Sequence, residues 1–232
     1  VHRGGVAARG LVVFQPARLH RAVHPIIEHN RRAWNERVRR RQPYIDTATD
    51  KEFQNPLAVM DPFGWLSRDI AGQRVLCLAA GGGRHGPLFA AVGAVVTVVD
   101  LSPEMLALDR KIAAERSLSL NLIEASMDDL SIFADMSFDV VMQPVSTCFV
   151  PDIAAVYRQA ARVLKASGLY ISHHKQPTGL QSEYDPAARA YVLREPYHRN
   201  GPLPPAPDAS WHRESGTLEF LHRWEELIGS LC

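Results

Sequence analysis

The chain has 232 residues, 46% of them apolar, which is enough for one full domain with a core and marginal for two. No apolar run of about 18 residues occurs, so no membrane span is expected, and the short apolar run 11–14 lacks the length and cleavage pattern of a signal peptide. The net charge of +1 hides an asymmetry: residues 1–41 carry ten Arg against Glu28 and Glu36, which is +8 and leaves −7 on the rest.

In chain order, residues 1–28 show no sustained period and are expected to form a loose basic arm. Residues 29–41 read as a helix, with Trp34 and Val38 four apart on one face. The Arg-rich run 31–42 offers two readings, a nucleic-acid patch or a solvated amphipathic helix. Arg outnumbers Lys by 22 to 4 over the whole chain, so the run is partly compositional and the helix is preferred; nucleic acid is not expected as a partner. Residues 61–72 read as a short helix ending near Gly72, which completes a helical flank over 29–72.

A regular pattern follows. Continuous apolar strands are expected at 74–80, 94–100, 120–126, 137–145 and 168–174. Helices are expected between them, starting at Pro87, over 102–117 and over 152–165. Ser102 is the expected N-cap of the second, with Pro103 at its first position and Glu104 at the positive end of its dipole; Asp152 caps the third. Continuously apolar strands alternating with helices imply an α/β domain, a doubly wound Rossmann-like parallel sheet covered by helices on both faces. Its core spans 73–177. Residues 178–216, rich in Pro, Tyr and Arg, are expected to cross the strand ends as a lid-like insertion, and 217–232 to form a terminal helix.

Ligands of such sheets bind at the carboxyl ends of the strands. The first strand runs into Gly81, Gly82 and Gly83, and Gly81, Gly83 and Gly86 match G-x-G-x-x-G. Asp100 ends the second strand, where a carboxylate can take a ribose diol. That much suits a dinucleotide. The third strand, however, ends in Met127, Asp128 and Asp129. A carboxylate there can accept from an adenine amine, with the Met127 backbone beside the ring. A nucleoside lying across three strands without phosphates, namely S-adenosylmethionine (SAM), fits this set. A nicotinamide-dependent oxidoreductase is the weaker alternative, because no hydride-transfer site such as Tyr-x-x-x-Lys is evident.

Read together, these segments resemble class I SAM-dependent methyltransferases of a bacterial, small-molecule type, from residue 74 to about 177. VLCLAAGGG resembles the first motif, VVDLSPEML the second, SMDDL the third and FDVVMQPVSTCFVPDI the fourth. The resemblance implies cofactor contacts from Ala79, Gly81, Gly82, Gly83, Asp100, Leu101, Met105, Met127, Asp128 and Gln143. Two departures stand out. Cys77 occupies the place of the first motif's usual acid and Ala79 that of its usual first glycine, so backbone carbonyls near Ala79 and Gln143 would have to hold the methionine amine. The family fold also ends in an antiparallel strand hairpin. Nothing after residue 174 reads as a strand, so a sheet lacking that hairpin, and a chain truncated at its C-terminus, is expected. A SAM-binding remnant without catalysis is therefore a further alternative.

Methyl transfer is an in-line displacement that needs alignment, and a base only when the acceptor must lose a proton. His173 and His174, at the end of the fifth strand, are the candidate catalytic residues. His85 in the glycine loop and His222 and Trp224 near the C-terminus read either as site contacts or as ordinary packing. Tyr184, Tyr191 and Tyr197 either line a pocket or anchor a loop. QPVS in the fourth motif is not the segment that positions a flipped base amine, so an unidentified small-molecule acceptor is expected. No metal site is expected. Cys77, Cys148 and Cys232 form an odd set without C-x-x-C, read as small hydrophobes in a reducing cytoplasm. The oligomeric state is left open.

Overall fold

The computed structural model describes residues 12–15, 24–66, 69–207, 210 and 212–231. Six parallel strands form one sheet: β1 (Val12–Gln15), β2 (Arg74–Leu78), β3 (Val95–Asp100), β4 (Leu120–Glu124), β5 (Phe138–Gln143) and β6 (Leu164–Ser172), in the order β1-β4-β3-β2-β5-β6. The chain steps outward from β2 through β3 to β4, then crosses back to place β5 on the other side of β2. The strand order therefore reverses at β2, where a crevice opens at the carboxyl ends. Helices α4 (His85–Ala91), α5 (Pro103–Glu115) and α6 (Ile153–Val163) make the connections β2–β3, β3–β4 and β5–β6, whereas turns and loop link β4 to β5.

The central strands are largely apolar because both faces are covered. Val75 and Cys77 face one core with Leu88, Leu106 and Ala113, whereas Leu76 and Leu78 face the other with Val156, Ala160 and Val163. This is the doubly wound Rossmann-like fold expected from the pattern. Ser102 caps α5 through Met105 N–H at 3.1 Å with Pro103 at the first position, and Asp152 caps α6 through Ala155 N–H at 3.0 Å.

Several expectations are corrected. Residues 12–15, assigned to a loose arm, form β1 and pair with β4 from Val12↔Leu120 to Gln15↔Ile123; the rest of 1–23 lies outside the described residues. The first helix, α1, spans Pro25–Arg39, because His24 accepts Ile26 N–H and Pro25 suits the first turn. Residues 61–66 are turns. The carboxylate of Asp61 accepts Trp65 and Leu66 N–H at 2.8 and 2.7 Å, and Gly64 takes φ +71°, which breaks a helix there. The flank's other helices are α2 (Asp50–Gln54), set by a capping box between Thr49 and Glu52, and α3 (Pro56–Met60).

Strands also occur after residue 174. Following the short α7 (Pro177–Gln181), β7 (Ser182–Asp185) and β8 (Ala190–Leu193) pair antiparallel as a separate two-stranded sheet. The expected helix over 217–232 is replaced by an extended segment and a single turn, α8 (Trp224–Leu227), followed by a 3-10 turn, Gly229–Leu231. The N–H groups a helix would use have other partners: Leu218 donates to Asn30 Oδ1 at 2.7 Å and Phe220 to the Cys148 carbonyl at 2.7 Å. Among the described residues no helix is long and apolar enough to cross a membrane.

Candidate active site

The loop after β2 bends sharply. Ala79 has φ +49°, Gly82 +122° and Gly83 +74°; Ala79, standing where a glycine was expected, occupies a region that glycine enters more easily. At Gly81 the need for glycine is steric. An added Cβ would lie 2.8 Å from Met105 Cβ and 2.9 Å from Asp100 Cγ. Close packing against β3 and α5 therefore explains the glycine at 81.

Asp100, at the end of β3, holds this loop. One carboxylate oxygen accepts Gly81 N–H at 2.8 Å and the other accepts Ser102 N–H at 2.8 Å. Burial pushes its pKa up to about 6 despite these bonds. Asp100 faces a cavity of about 530 Å³ over the strand ends, within the size range of small-molecule and cofactor sites.

Ala79, Gly81 and Gly82 form one wall, Asp100, Leu101 and Met105 the next, and Ser126 and Met127 the floor beside β4. Ile27 and Trp34 of α1 and Phe149 and Val150 face them. His173, Lys175, His212 and Glu214 make a polar end, and Asp46, Arg84 and His85 border the glycine loop. Burial, followed by the charge of Arg84 and the proximity of His173, lowers the pKa of His85 to about 4, so its imidazole is neutral near pH 7. Arg84 is paired with Glu52 at 2.5 Å.

Four expected site residues are not on the cavity wall. Gly83 is buried and its carbonyl accepts Ala48 N–H at 3.0 Å, tying the loop to the segment before α2. Asp128 is half-buried beside Met127, with Ser126 and Met127 taking the wall in its stead. Gln143 is fully buried. Its carbonyl, assigned to the methionine amine, accepts His173 N–H at 3.0 Å, and its side chain bonds Ser146 Oγ at 3.0 Å, Met127 Sδ at 3.2 Å and the Tyr170 hydroxyl. His174 has both ring nitrogens engaged, with Thr147 Oγ1 at 2.9 Å and Ser172 Oγ at 2.8 Å. Of the histidine pair, the structure brings only His173 to the cavity.

The remaining candidates separate in the same way. His222 is buried, with Nε2 3.0 Å from the carbonyls of Thr147 and Val150. Trp224 is 46% exposed. Tyr184 and Tyr191 pack edge to face across β7 and β8, and Tyr197 donates to Glu225 at 2.8 Å. Cys148 is buried, which raises its thiol pKa. Three Arg side chains of α1 turn to carboxylates within the fold, Arg31 and Arg32 each meeting Glu28 at 2.7 Å and Arg39 meeting Glu104 at 2.8 Å, while the buried Arg37 donates to the Pro43 and Ser215 carbonyls. Among the described residues no group of three or more His, Cys, Asp or Glu is placed to hold a metal ion.

Sequence reasoning missed much of the polar end. Lys175 Nζ bonds Glu219 at 2.7 Å and also Glu214, and Arg213 Nε meets the other oxygen of Glu219 at 2.6 Å. These four charged side chains are almost wholly buried. Lys175 lies beside the flagged pair at the end of the fifth strand. Glu214 and Glu219 lie some 40 residues further on and have no local signal, because a tertiary contact alone brings them there.

A doubly wound sheet, a glycine loop after β2 clamped by the acid that ends β3, and a cavity at the reversal of strand order together define a class I methyltransferase. Residues 76–172 match the methyltransferase domain family. The chain is 39% identical to the uncharacterized methyltransferase YbaJ of Bacillus subtilis (strain 168) over 219 residues, 89% of this chain and 86% of that one. It is 36% identical over 124 residues to a ubiquinone biosynthesis O-methyltransferase of Xanthomonas oryzae, covering 51% and 52% of the two chains. An S-adenosylmethionine dependent methyltransferase from Mesorhizobium loti shares the fold, with a TM-score of 0.56 at 21% identity over 71% of this chain and 74% of that one. The chain belongs to the SAM-dependent methyltransferase family.

Proposed function

We propose that this protein transfers the methyl group of SAM to a small-molecule acceptor bound at the His173–Lys175–Glu214 end of the cavity. The observation that carries the reading is the position of Asp100, which clamps the glycine loop while facing the cavity. Its two oxygens offer about four lone-pair sites, of which Gly81 N–H and Ser102 N–H take one each. The rest can accept the ribose hydroxyls, and a hydrogen bond to a charged group contributes roughly 1.5–3 kcal/mol. Met127 and Leu101 give the adenine an apolar slot. Asp46, from the segment that Ala48 ties to Gly83, brings a carboxylate to the methionine end. When bound, SAM supplies an electrophilic methyl.

The chain's own task is alignment. Trp34 and Phe149 meet edge to face at 5.4 Å and offer an apolar wall to the acceptor's body. His173 stands where it can take a proton from an acceptor hydroxyl or amine. Lys175, held by two carboxylates, fixes Glu214 at the cavity wall as an acceptor for the same proton-bearing group.

Calorimetric titration with SAM tests the reading, with NAD⁺ as comparator and Asp100→Ala as control. Micromolar SAM binding that the substitution abolishes, with no NAD⁺ binding, is expected. NAD⁺ binding without SAM binding would reverse the assignment.

A further inference from the structure

Asp109 lies on the inward face of α5 and has no exposed surface. One oxygen, Oδ2, accepts the N–H of Gly82 at 2.9 Å, the N–H of Gly83 also favours the charged carboxylate, and Oδ1 is buried without a hydrogen bond of ordinary geometry. A buried carboxylate that leaves an oxygen unsatisfied is costly. Apolar packing does not explain it, since the neighbouring inward positions Leu106 and Ala113 are apolar and serve the core. Its surroundings are specific. The next donor along the loop, Gly81 N–H, goes to Asp100, so two acids from two different elements hold consecutive N–H groups of one loop. Gly82 N–H is itself shared, since the Met105 carbonyl also accepts it at 3.1 Å. Behind Asp109 is Cys77 of β2, fully buried and close enough that the Asp109 charge adds to the burial that raises its thiol pKa. Gly86 completes the enclosure, because a Cβ there would lie 3.3 Å from Asp109 Oδ1.

We infer that Asp109 is a positioning residue for cofactor binding: it sets the backbone of Gly82 and Gly83 from behind, so that the front of the loop presents a fixed surface to SAM. Asp109 does not line the cavity, whereas Gly81 and Gly82 do, so its effect passes through the loop. The loop needs such a clamp because Gly82 at φ +122° and Gly83 at φ +74° have no side chains of their own to restrain them. The cost of burying the acid is the cost of a loop already in its bound shape before the ligand arrives.

The inference rests on the SAM-binding reading above, and two readouts separate the two. SAM affinity is measured by calorimetry for the wild type, Asp109→Asn and Asp109→Ala, well below each melting temperature. Protection of the Gly82 amide is followed by hydrogen exchange on the same proteins without ligand. Asparagine keeps an acceptor oxygen for Gly82, and alanine keeps none. The expected order is wild type, then Asn, then Ala, with at least a tenfold loss of SAM affinity in Ala and a parallel fall in Gly82 protection, the Met105 carbonyl remaining as its other acceptor. Affinities of both variants within twofold of wild type, even with lowered melting temperatures, would show that Asp109 serves the fold alone and overturn the inference. Wild-type protein that takes up no SAM would instead overturn the functional reading on which the inference stands.

Discussion

Asn30 holds Leu218 from both sides: its amide nitrogen donates to the Leu218 carbonyl at 3.0 Å and its oxygen accepts Leu218 N–H at 2.7 Å. The same nitrogen donates to the Phe149 carbonyl at 2.9 Å. One fully buried side chain on α1 thereby joins the turn after β5 to the extended segment that carries Glu219. Asn30→Ala removes three bonds and leaves buried backbone groups unpaired. The expected loss is roughly 2–4 kcal/mol of unfolding free energy, read from denaturant midpoints. A change below about 0.5 kcal/mol, the usual surface level, would contradict this role.

The two adjacent histidines separate by position. His173 faces the cavity, while the ring of His174 is spent on Thr147 and Ser172. Once an acceptor is found by screening, His173→Ala is expected to lower kcat by about 10²-fold or more, in the range of general acid–base contributions, with little effect on melting. His174→Ala is expected to lower the melting temperature first. The reverse pattern would assign the chemistry to His174.

Lys175 makes buried pairs with Glu219, at 2.7 Å, and with Glu214. Removing one partner strands a buried charge, so Lys175→Met should cost about 3–5 kcal/mol. Adding Glu214→Gln to that variant should recover part of the loss, because Lys175→Met strands the Glu214 charge, whereas Glu219 keeps Arg213. Simple additivity in this double-mutant cycle would mean that Lys175 and Glu214 are energetically independent.

Asp100 and Asp109 make stability depend on pH in a defined direction. Burial raises their pKa values from the ordinary carboxylate range to about 6 and about 8. The folded state therefore holds protons that the unfolded state has already released, and stability falls as pH rises through this window. His85, lowered to about 4, acts oppositely below its ordinary pKa near 6.5. Between pH 6.5 and 8 the Asp109 contribution stands clear of His85. Thermal melts of the ligand-free protein should show falling stability across that interval, and Asp109→Asn should flatten the fall. An unchanged slope in the variant would remove Asp109 as its source.

SAM affinity should respond in the opposite sense at lower pH. The ionised Asp100 is the better acceptor for ribose hydroxyls, so affinity is expected to weaken as pH falls below about 6. Asp100→Asn should bind weakly at every pH. Calorimetry from pH 5 to 7.5 checks this, and a pH-independent wild type would place the ribose elsewhere.

The parallel sheet was legible because its signal is local. Strands buried on both faces are continuously apolar over their centres, as in 75–78 and 98–99, and Pro103 after Ser102 marks a helix start. Glycine at 81–83 followed by Asp100 was legible for a similar reason, since that spacing is covalent once β2 and β3 are parallel neighbours. The reading failed where partners distant in sequence decide conformation. Residues 217–223 have the composition of a helix, yet their N–H groups go to Asn30 and Cys148, more than 70 positions away. Residues 61–66 lost their expected helix to a side chain, Asp61, that competes for the backbone.

The amino-acid sequence alone determined the α/β class, the strand ends that could hold a ligand, and the loop and acid that mark a nucleoside cofactor. Only the tertiary structure decided which of two adjacent histidines reaches the cavity, and that Lys175 and Glu214 join it at the polar end with Glu219 buried behind them. It also decided that a second acid, Asp109, grips the cofactor loop from behind. Chain connectivity sets the first group, whereas the second depends on side chains that meet across long loops, where hydrogen-bonding competition among buried groups selects one arrangement.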